Sequence, residues 1–398
     1  MSLSVCFILG ALGPSGGVGA VLEHARGLAR DHAMEVSIAV WERADGPDPA
    51  PGVRLVTVEE AAGRQWDVAV ATWWRTAYSL FSIPARRHVY FVQQFEERVY
   101  RPGEVERFGA AATHDLPVAF VTEAAWIAEL LGDLRPEAPC FHVPNGIDKG
   151  AFSPPQLLGD QEAPLRVLVE GGAGLWFKGV QDALAVLEQT AAPLHTTLVA
   201  PEEPDERTRA AFDRVLGLLP HAAMPDVYRE ADILLKLSRV EGVFTPPLEA
   251  FHCGATCVVW PVTGHDEYVR HAVNGVVADF DDVPGTASWI DLLARDRALL
   301  DRLCDGALET ASRWPSWEAS TAALAKALER IVEGPPPAAG DGAALLLADL
   351  DAAMEEQRLA QRRLMRDVVA AERRLELESR PAWRARRRLG RLLGPRRR

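Results

Sequence analysis

Two glutamates with seven residues between them, Glu241 and Glu249, bracket the stretch Gly242-Val243-Phe244-Thr245-Pro246-Pro247-Leu248, and Ala250-Phe251-His252-Cys253-Gly254 follows. Pro246 and Pro247 suit the first turn of a helix, where a missing N–H costs little. Glu249 then falls inside that helix and Glu241 in the loop ahead of it. Carboxylates so placed can accept hydrogen bonds from sugar hydroxyls, while loop N–H groups meet phosphate oxygens. Helix capping and dipole stabilisation, at ~0.3–1 kcal/mol per acid, account for the same acids without a ligand. On composition alone that structural role is the stronger of the two.

Two glycine-rich loops add possibilities. Gly16-Gly17-Val18-Gly19 lies between an apolar run and a helical pattern, where the backbone either turns tightly or approaches a phosphate. The second loop, Glu170-Gly171-Gly172-Ala173-Gly174-Leu175-Trp176-Phe177-Lys178-Gly179, holds one of only four lysines, the others being Lys149, Lys236 and Lys326. Lys178 offers a point charge for a diphosphate, and equally reads as a solvated surface lysine.

The elements that carry these loops follow from the apolar runs. Residues 5–9, 36–40, 53–56, 68–71, 89–92 and 118–121 read as strands alternating with helices, and a second series starts at 165–169 and continues at 197–199, 233–236 and 257–260. Two such series predict an α/β protein of two doubly wound, Rossmann-like domains, whose ligands bind beyond the carboxyl ends of the strands in the gap between them. The expected division is 1–150, then 151–333. Residues 334–342, rich in proline and glycine, form a linker; 343–379, with a seam of about four heptads, form a helix or coiled coil; 380–398 form a basic tail.

The stretch from Glu241 to Gly254, with Thr263-Gly264-His265-Asp266-Glu267-Tyr268 and Asn274-Gly275-Val276-Val277, closely resembles the group-one glycosyltransferases, family four, of GT-B fold. The resemblance extends to Gly16–Gly19, to Val143-Pro144-Asn145-Gly146-Ile147-Asp148, to Lys178-Gly179 and to the helix starting Ser316-Trp317-Glu318. Tyr90-Phe91-Val92-Gln93-Gln94-Phe95-Glu96 is similar to the rhamnosyltransferase-like branch. By resemblance, Glu241 contacts the donor sugar, with backbone N–H groups of Gly242, Val243, Phe244 and Thr245 near the sugar or diphosphate. Glu249 binds the ribose hydroxyls, Lys178 neutralises the leaving diphosphate, and Gly16, Gly17 and Gly172 approach the donor. Fixed donors in a dry gap would stabilise the charge left on the diphosphate without a metal or other cofactor; retention of anomeric configuration is the family's usual outcome.

Three positions depart from the family pattern. Gly172 stands where an arginine is common, which weakens the diphosphate clamp or shifts it onto backbone N–H groups. Phe244 stands where glycine is usual, and its ring narrows the donor pocket or demands another loop path. Within Gln93-Gln94-Phe95 the first domain lacks its frequent histidine, leaving Gln94 and Glu96 as candidates for that role. Trp74 and Tyr78 are candidate acceptor-side residues, or else core aromatics. His265 either stabilises its loop or meets the donor, and Asp279-Phe280-Asp281-Asp282 reads as a solvated turn rather than a metal motif.

Composition narrows the partners. The net charge of −13 hides an asymmetry, since fifteen arginines and eight acids fall from 343 to 398, leaving the rest strongly acidic. An acidic body argues against nucleic acid. The nine arginines of Arg380–Arg398, interspersed with Trp383, Leu389, Leu392 and Leu393, suit an anionic membrane surface or a solvated end. No run of eighteen apolar residues occurs, and residues 5–9 read as a first strand rather than part of a signal peptide. Cys6, Cys140, Cys253, Cys257 and Cys304 form no CxxC pair and suit buried thiols in a reducing cytoplasm.

The expectation is therefore a nucleotide-sugar-dependent hexosyltransferase in the cytoplasm or at the inner membrane face. It would use a dTDP- or UDP-linked donor, a glycan, lipid-linked or small-molecule acceptor, and a homo-oligomer contact through 343–379. The alternatives are a nucleotide-sugar epimerase of the same fold and a degenerate transferase acting as a coiled-coil scaffold. A dehydrogenase fits least, because the first loop lacks the full GxGxxG spacing.

Overall fold

The computed structural model describes residues 2–13, 15–41, 49–155 and 164–336, with Arg366. Residues 1–343 form one compact unit and 344–398 another. The expected heptad segment and basic tail thus lie outside the described residues, Arg366 apart.

Thirteen strands are described: β1 (Ser4–Leu9), β2 (Glu35–Val40), β3 (Val53–Thr57), β4 (Trp66–Ala71), β5 (Ala85–Val92), β6 (Ala119–Thr122), β7 (Cys140–His142), β8 (Leu165–Glu170), β9 (Leu194–Val199), β10 (Arg214–Leu216), β11 (Ile233–Lys236), β12 (Thr256–Val259) and β13 (Val276–Val277). They form two sheets, ordered β3-β2-β1-β4-β5-β6-β7 and β10-β9-β8-β11-β12-β13, and neighbours in both pair in parallel. Parallel strands covered on both faces need continuous apolar sequence. Every residue of β1, β11 and β12 is accordingly buried.

The strand order reverses between β1 and β4 in the first sheet and between β8 and β11 in the second. Crevices at such switch points are where these sheets take ligands. Both glycine loops and the 241–249 stretch follow β1, β8 and β11, so strand order alone brings them to the two crevices.

The chain crosses between sheets twice. The helix Trp317–Glu333 follows the second series in sequence, yet Leu324, Leu328 and Ile331 belong to the core of the first sheet. It crosses the helix Gly16–Asp31 so closely that a β-carbon at Gly27 would stand 2.8 Å from the Thr321 Cγ2. Arg87 Nε reaches its far end, donating to the Ile331 carbonyl at 3.0 Å. The expected second domain, 151–333, is corrected here: its last helix packs with the first. The reason is burial, since this helix's apolar stripe completes the face covered by Val21, Ala25 and Leu28.

Candidate active site

On the second sheet the site is built from buried charges in pairs. β11 delivers the loop that carries Glu241, and the helix Thr245–His252 begins with both prolines in its first turn. Glu241 is 6% exposed and accepts from Lys178 Nζ at 3.1 and 2.9 Å. Burial by itself would lower the Lys178 pKa, but the Glu241 and Glu170 carboxylates outweigh it and hold the ammonium above the ordinary lysine value. Glu249, 7% exposed, accepts from His221 Nε2 at 2.7 Å. That hydrogen bond raises the His221 pKa against the opposing effect of burial. The His221 ring also packs on Phe152, 5.2 Å between centroids.

The first sheet meets this loop directly. A β-carbon at Gly242 would lie 1.9 Å from the Gln93 carbonyl oxygen and 2.9 Å from Gln94 Cβ, so only glycine fits there. Trp126 Nε1 donates to the Gly242 carbonyl at 2.9 Å. Asn145 Nδ2 donates to Glu123 Oε2 at 2.6 Å, and the Val243 N–H donates to the same carboxyl. Burial pushes Glu123 up to about 8. Arg98 reaches Thr263 Oγ1 at 2.7 Å, and Trp126 N–H reaches Glu267 Oε1 at 3.2 Å. The 241–245 loop is thus held from both sides of the gap.

Ser15 caps the helix Gly16–Asp31, its Oγ accepting from Val18 N–H at 3.2 Å. Gly17 faces Gln93: the Gln93 Oε1 lies 2.8 Å from where a Gly17 β-carbon would stand. Gln93 Nε2 donates to the Thr72 carbonyl at 3.0 Å, while its buried Oε1 has no partner among the described residues. Gly16 opens onto free space. At Gly172 a side chain would meet Leu175 within 2.9 Å. The structure therefore brings together Gly17, Lys178, Glu241, Gly242 and Gln94.

Several expected residues sit elsewhere. Trp74 is fully buried, donating to Tyr100 Oη at 3.1 Å, and Tyr78 Oη donates to the Gly109 carbonyl at 2.8 Å. Both are packing aromatics, because their polar tips find partners inside the first domain. Glu96 accepts from the Trp74 N–H at 2.8 Å and from Tyr90 Oη at 3.0 Å, which turns it to the start of the helix Trp74–Ser79. Burial pushes Glu96 up to about 8. The Phe244 ring lies wholly in the second core, and its carbonyl accepts from Tyr268 Oη. It follows the other loop path and does not narrow the gap.

His265 Nδ1 faces the Val262 carbonyl at 2.7 Å, a loop contact. In the acidic turn, Asp282 caps the helix Val283–Arg295 and Asp281 pairs with Arg239 at 2.6 Å. Sequence reasoning missed Gln93, Glu123, Asn145, Glu170, His221 and Lys236 as site neighbours. The scarcity of lysine was the one signal that singled out Lys236; the others depend on contacts between distant segments.

Residues 214–309 match the family described as "Glycosyl transferases group 1". The O-antigen biosynthesis protein RfbC of Myxococcus xanthus is 28% identical over 268 residues, covering 66% of this chain and 20% of that protein. The chain spans 20–33% of the length of the curated relatives it matches. Among solved structures, sucrose-phosphate synthase from Thermosynechococcus elongatus superposes with a TM-score of 0.70 at 15% identity, over 83% of this chain and 99% of that one. Anabaena Alr3699/HepE in complex with UDP-glucose gives 0.67 at 17% identity, over 82% of this chain and 100% of that one. The matched segment, 214–309, lies in the second of two facing parallel sheets, and the strand order and superpositions show that the chain has the GT-B fold.

Proposed function

We propose that this chain transfers a sugar from a nucleotide-sugar donor to a glycan, lipid-linked or small-molecule acceptor. The observation that carries the proposal is the placement of Lys178–Glu241 and Glu249 at the carboxyl ends of β8 and β11, opposite Gln93 and Gln94. Cleaving a glycosyl–phosphate bond leaves negative charge on the diphosphate. Lys178 and the positive end of the helix Thr245–His252 are placed to meet it, whereas Pro246 and Pro247 carry no N–H and the Val243 and Thr245 N–H groups already donate to Glu123 and to the Val243 carbonyl. In the free protein Glu241 holds the Lys178 ammonium. On donor binding the diphosphate takes over that ammonium and Glu241 turns to sugar hydroxyls. Glu249 exchanges His221 for the ribose hydroxyls.

The first domain supplies the acceptor side, with Gln93 and Gln94 against the catalytic loop. Transfer proceeds with retention, the usual outcome in the family it resembles, and without a metal, because Lys178 takes the role of a cation. A uridine or thymidine diphosphate sugar is the donor we favour; the similar Anabaena protein is described in complex with UDP-glucose. The enzyme works in the cytoplasm, with its arginine-rich end, 380–398, against the inner membrane face.

Titration calorimetry with UDP, dTDP and GDP, followed by turnover assays with the matching sugar nucleotides, tests this reading. Binding of none of the three would overturn it. Consumption of donor without acceptor would instead favour the epimerase. Of the two features behind the scaffold alternative, Gly172 stands, while the Phe244 ring is accounted for by the core.

A further inference from the structure

Gly172 leaves the diphosphate side of the site with one cation fewer than the family pattern, yet a second lysine stands next to that loop. Lys236 closes β11, the neighbour of β8, and is 1% exposed. Its Nζ donates to the Glu170 carbonyl at 2.6 Å and to Glu170 Oε2 at 2.8 Å. Gly171, at φ +148°, separates the two lysines: a β-carbon there would stand 3.2 Å from Lys178 Cβ and 3.5 Å from Lys236 Nζ. The groups around Lys178 are thus Glu241, Glu170 and, through Glu170, Lys236.

A fully buried lysine is rare unless paired. Such a pair is no bargain for stability, since an apolar pair of similar volume is often as good or better. Its value lies in what the Glu170 carboxylate would do alone. Glu170 is partly exposed toward the loop and lies within the field of Lys178 as well as Lys236. Unpaired, it would draw the Lys178 ammonium and repel an incoming diphosphate.

We propose that Lys236 is a positioning residue for the donor diphosphate: by holding Glu170 it keeps that carboxylate off Lys178, so that Glu241 alone has to release the ammonium to the phosphates. This rests on the reading of the gap as a nucleotide-sugar site. Lys236 touches no ligand and acts through Glu170. Burial acts to raise the Glu170 pKa, but the charge and hydrogen bond of Lys236, with the charge of Lys178, together hold it below the ordinary glutamate value.

The test measures binding of UDP, dTDP and GDP to the full chain and its variants by calorimetry, with thermal melting to check folding. K236M should weaken nucleoside diphosphate binding about tenfold or more. K236M/E170Q, which removes the stranded carboxylate, should recover to within about threefold of wild type. A lysine needed only for packing would leave the double variant as weak as the single. Wild-type affinity in K236M, or no recovery in the double variant, overturns the proposal. Should K236M not fold, K236M/E170Q is compared with E170Q: equal affinity supports the proposal and a tenfold deficit overturns it. If the wild type binds none of the three probes, the site reading fails and this inference with it.

Discussion

The second-domain side of the gap presents ion pairs: Lys178–Glu241, His221–Glu249 and Lys236–Glu170. The first-domain side presents amides, Gln93 and Gln94, and one carboxyl, Glu123, pushed up to about 8 by burial and so largely uncharged at neutral pH. The contrast is one of solvation. A charged ligand leaving water is matched by preorganised opposite charge on one face, while the opposite face, with Glu123 neutral and Arg98 its cation at the gap, adds no repulsion for an anion. Two walls that look alike as folds are therefore unlike as surfaces.

Removing the charged wall should cost most. E241A is expected to lower turnover by about 10²–10³ while leaving the fold intact, read by kinetics alongside circular dichroism. Unchanged turnover would take Glu241 out of the mechanism. K178A should lose about 10–10² in kcat and weaken diphosphate binding, because the charge left on the diphosphate then meets no ammonium. A K178A enzyme with a raised KM and normal kcat would make the lysine a binding group only.

The first-domain wall is tested by pH. Glu123 is raised from 4.5 to about 8, so between these values the folded state holds a proton that the unfolded state has released. Its contribution to stability is therefore complete below pH 4.5, falls as pH rises toward 8, and is flat above. E123Q should be no more stable than wild type at pH 4.5 and relatively more stable by roughly 1–3 kcal/mol at pH 8, measured by denaturant unfolding. A difference independent of pH would mean that Glu123 is ionised and that the contrast between the walls is false.

The smallest effect belongs to His221, whose side chain is 69% exposed. Its raised pKa means that the pair with Glu249 is fully formed below pH 6.5 and lost as pH rises through the folded value. On the proposed reading ribose competes for Glu249, so wild-type nucleotide affinity should weaken a few-fold as the solution is acidified, and H221A should lack that dependence. An identical pH profile in both proteins would remove His221 from the competition.

Much of this was legible before any coordinates. Apolar runs at 5–9 and 257–259 fill most of β1 and β12, so their burial on two faces was readable. The three shortest strands, β7, β10 and β13, were not, because two or three residues carry no period. For a related reason the sequence left Trp74 open between the acceptor side and the core, and offered Glu96 as a candidate at the gap. An aromatic or an acid near a strand end has the same sequence appearance whether it faces the gap or turns inward, and the Trp74–Tyr100 and Glu96–Tyr90 hydrogen bonds decide that here.

The sequence by itself determined the doubly wound class and the loops that meet at its switch points, since apolar period, glycine and proline act locally. It also carried the family resemblance, through the 241–254 stretch. Tertiary structure alone decided which charges pair, where Phe244 points, and that the helix Trp317–Glu333 returns to the first sheet. Those outcomes depend on contacts between residues far apart in the chain, and on burial that turns a surface carboxyl into a neutral acid.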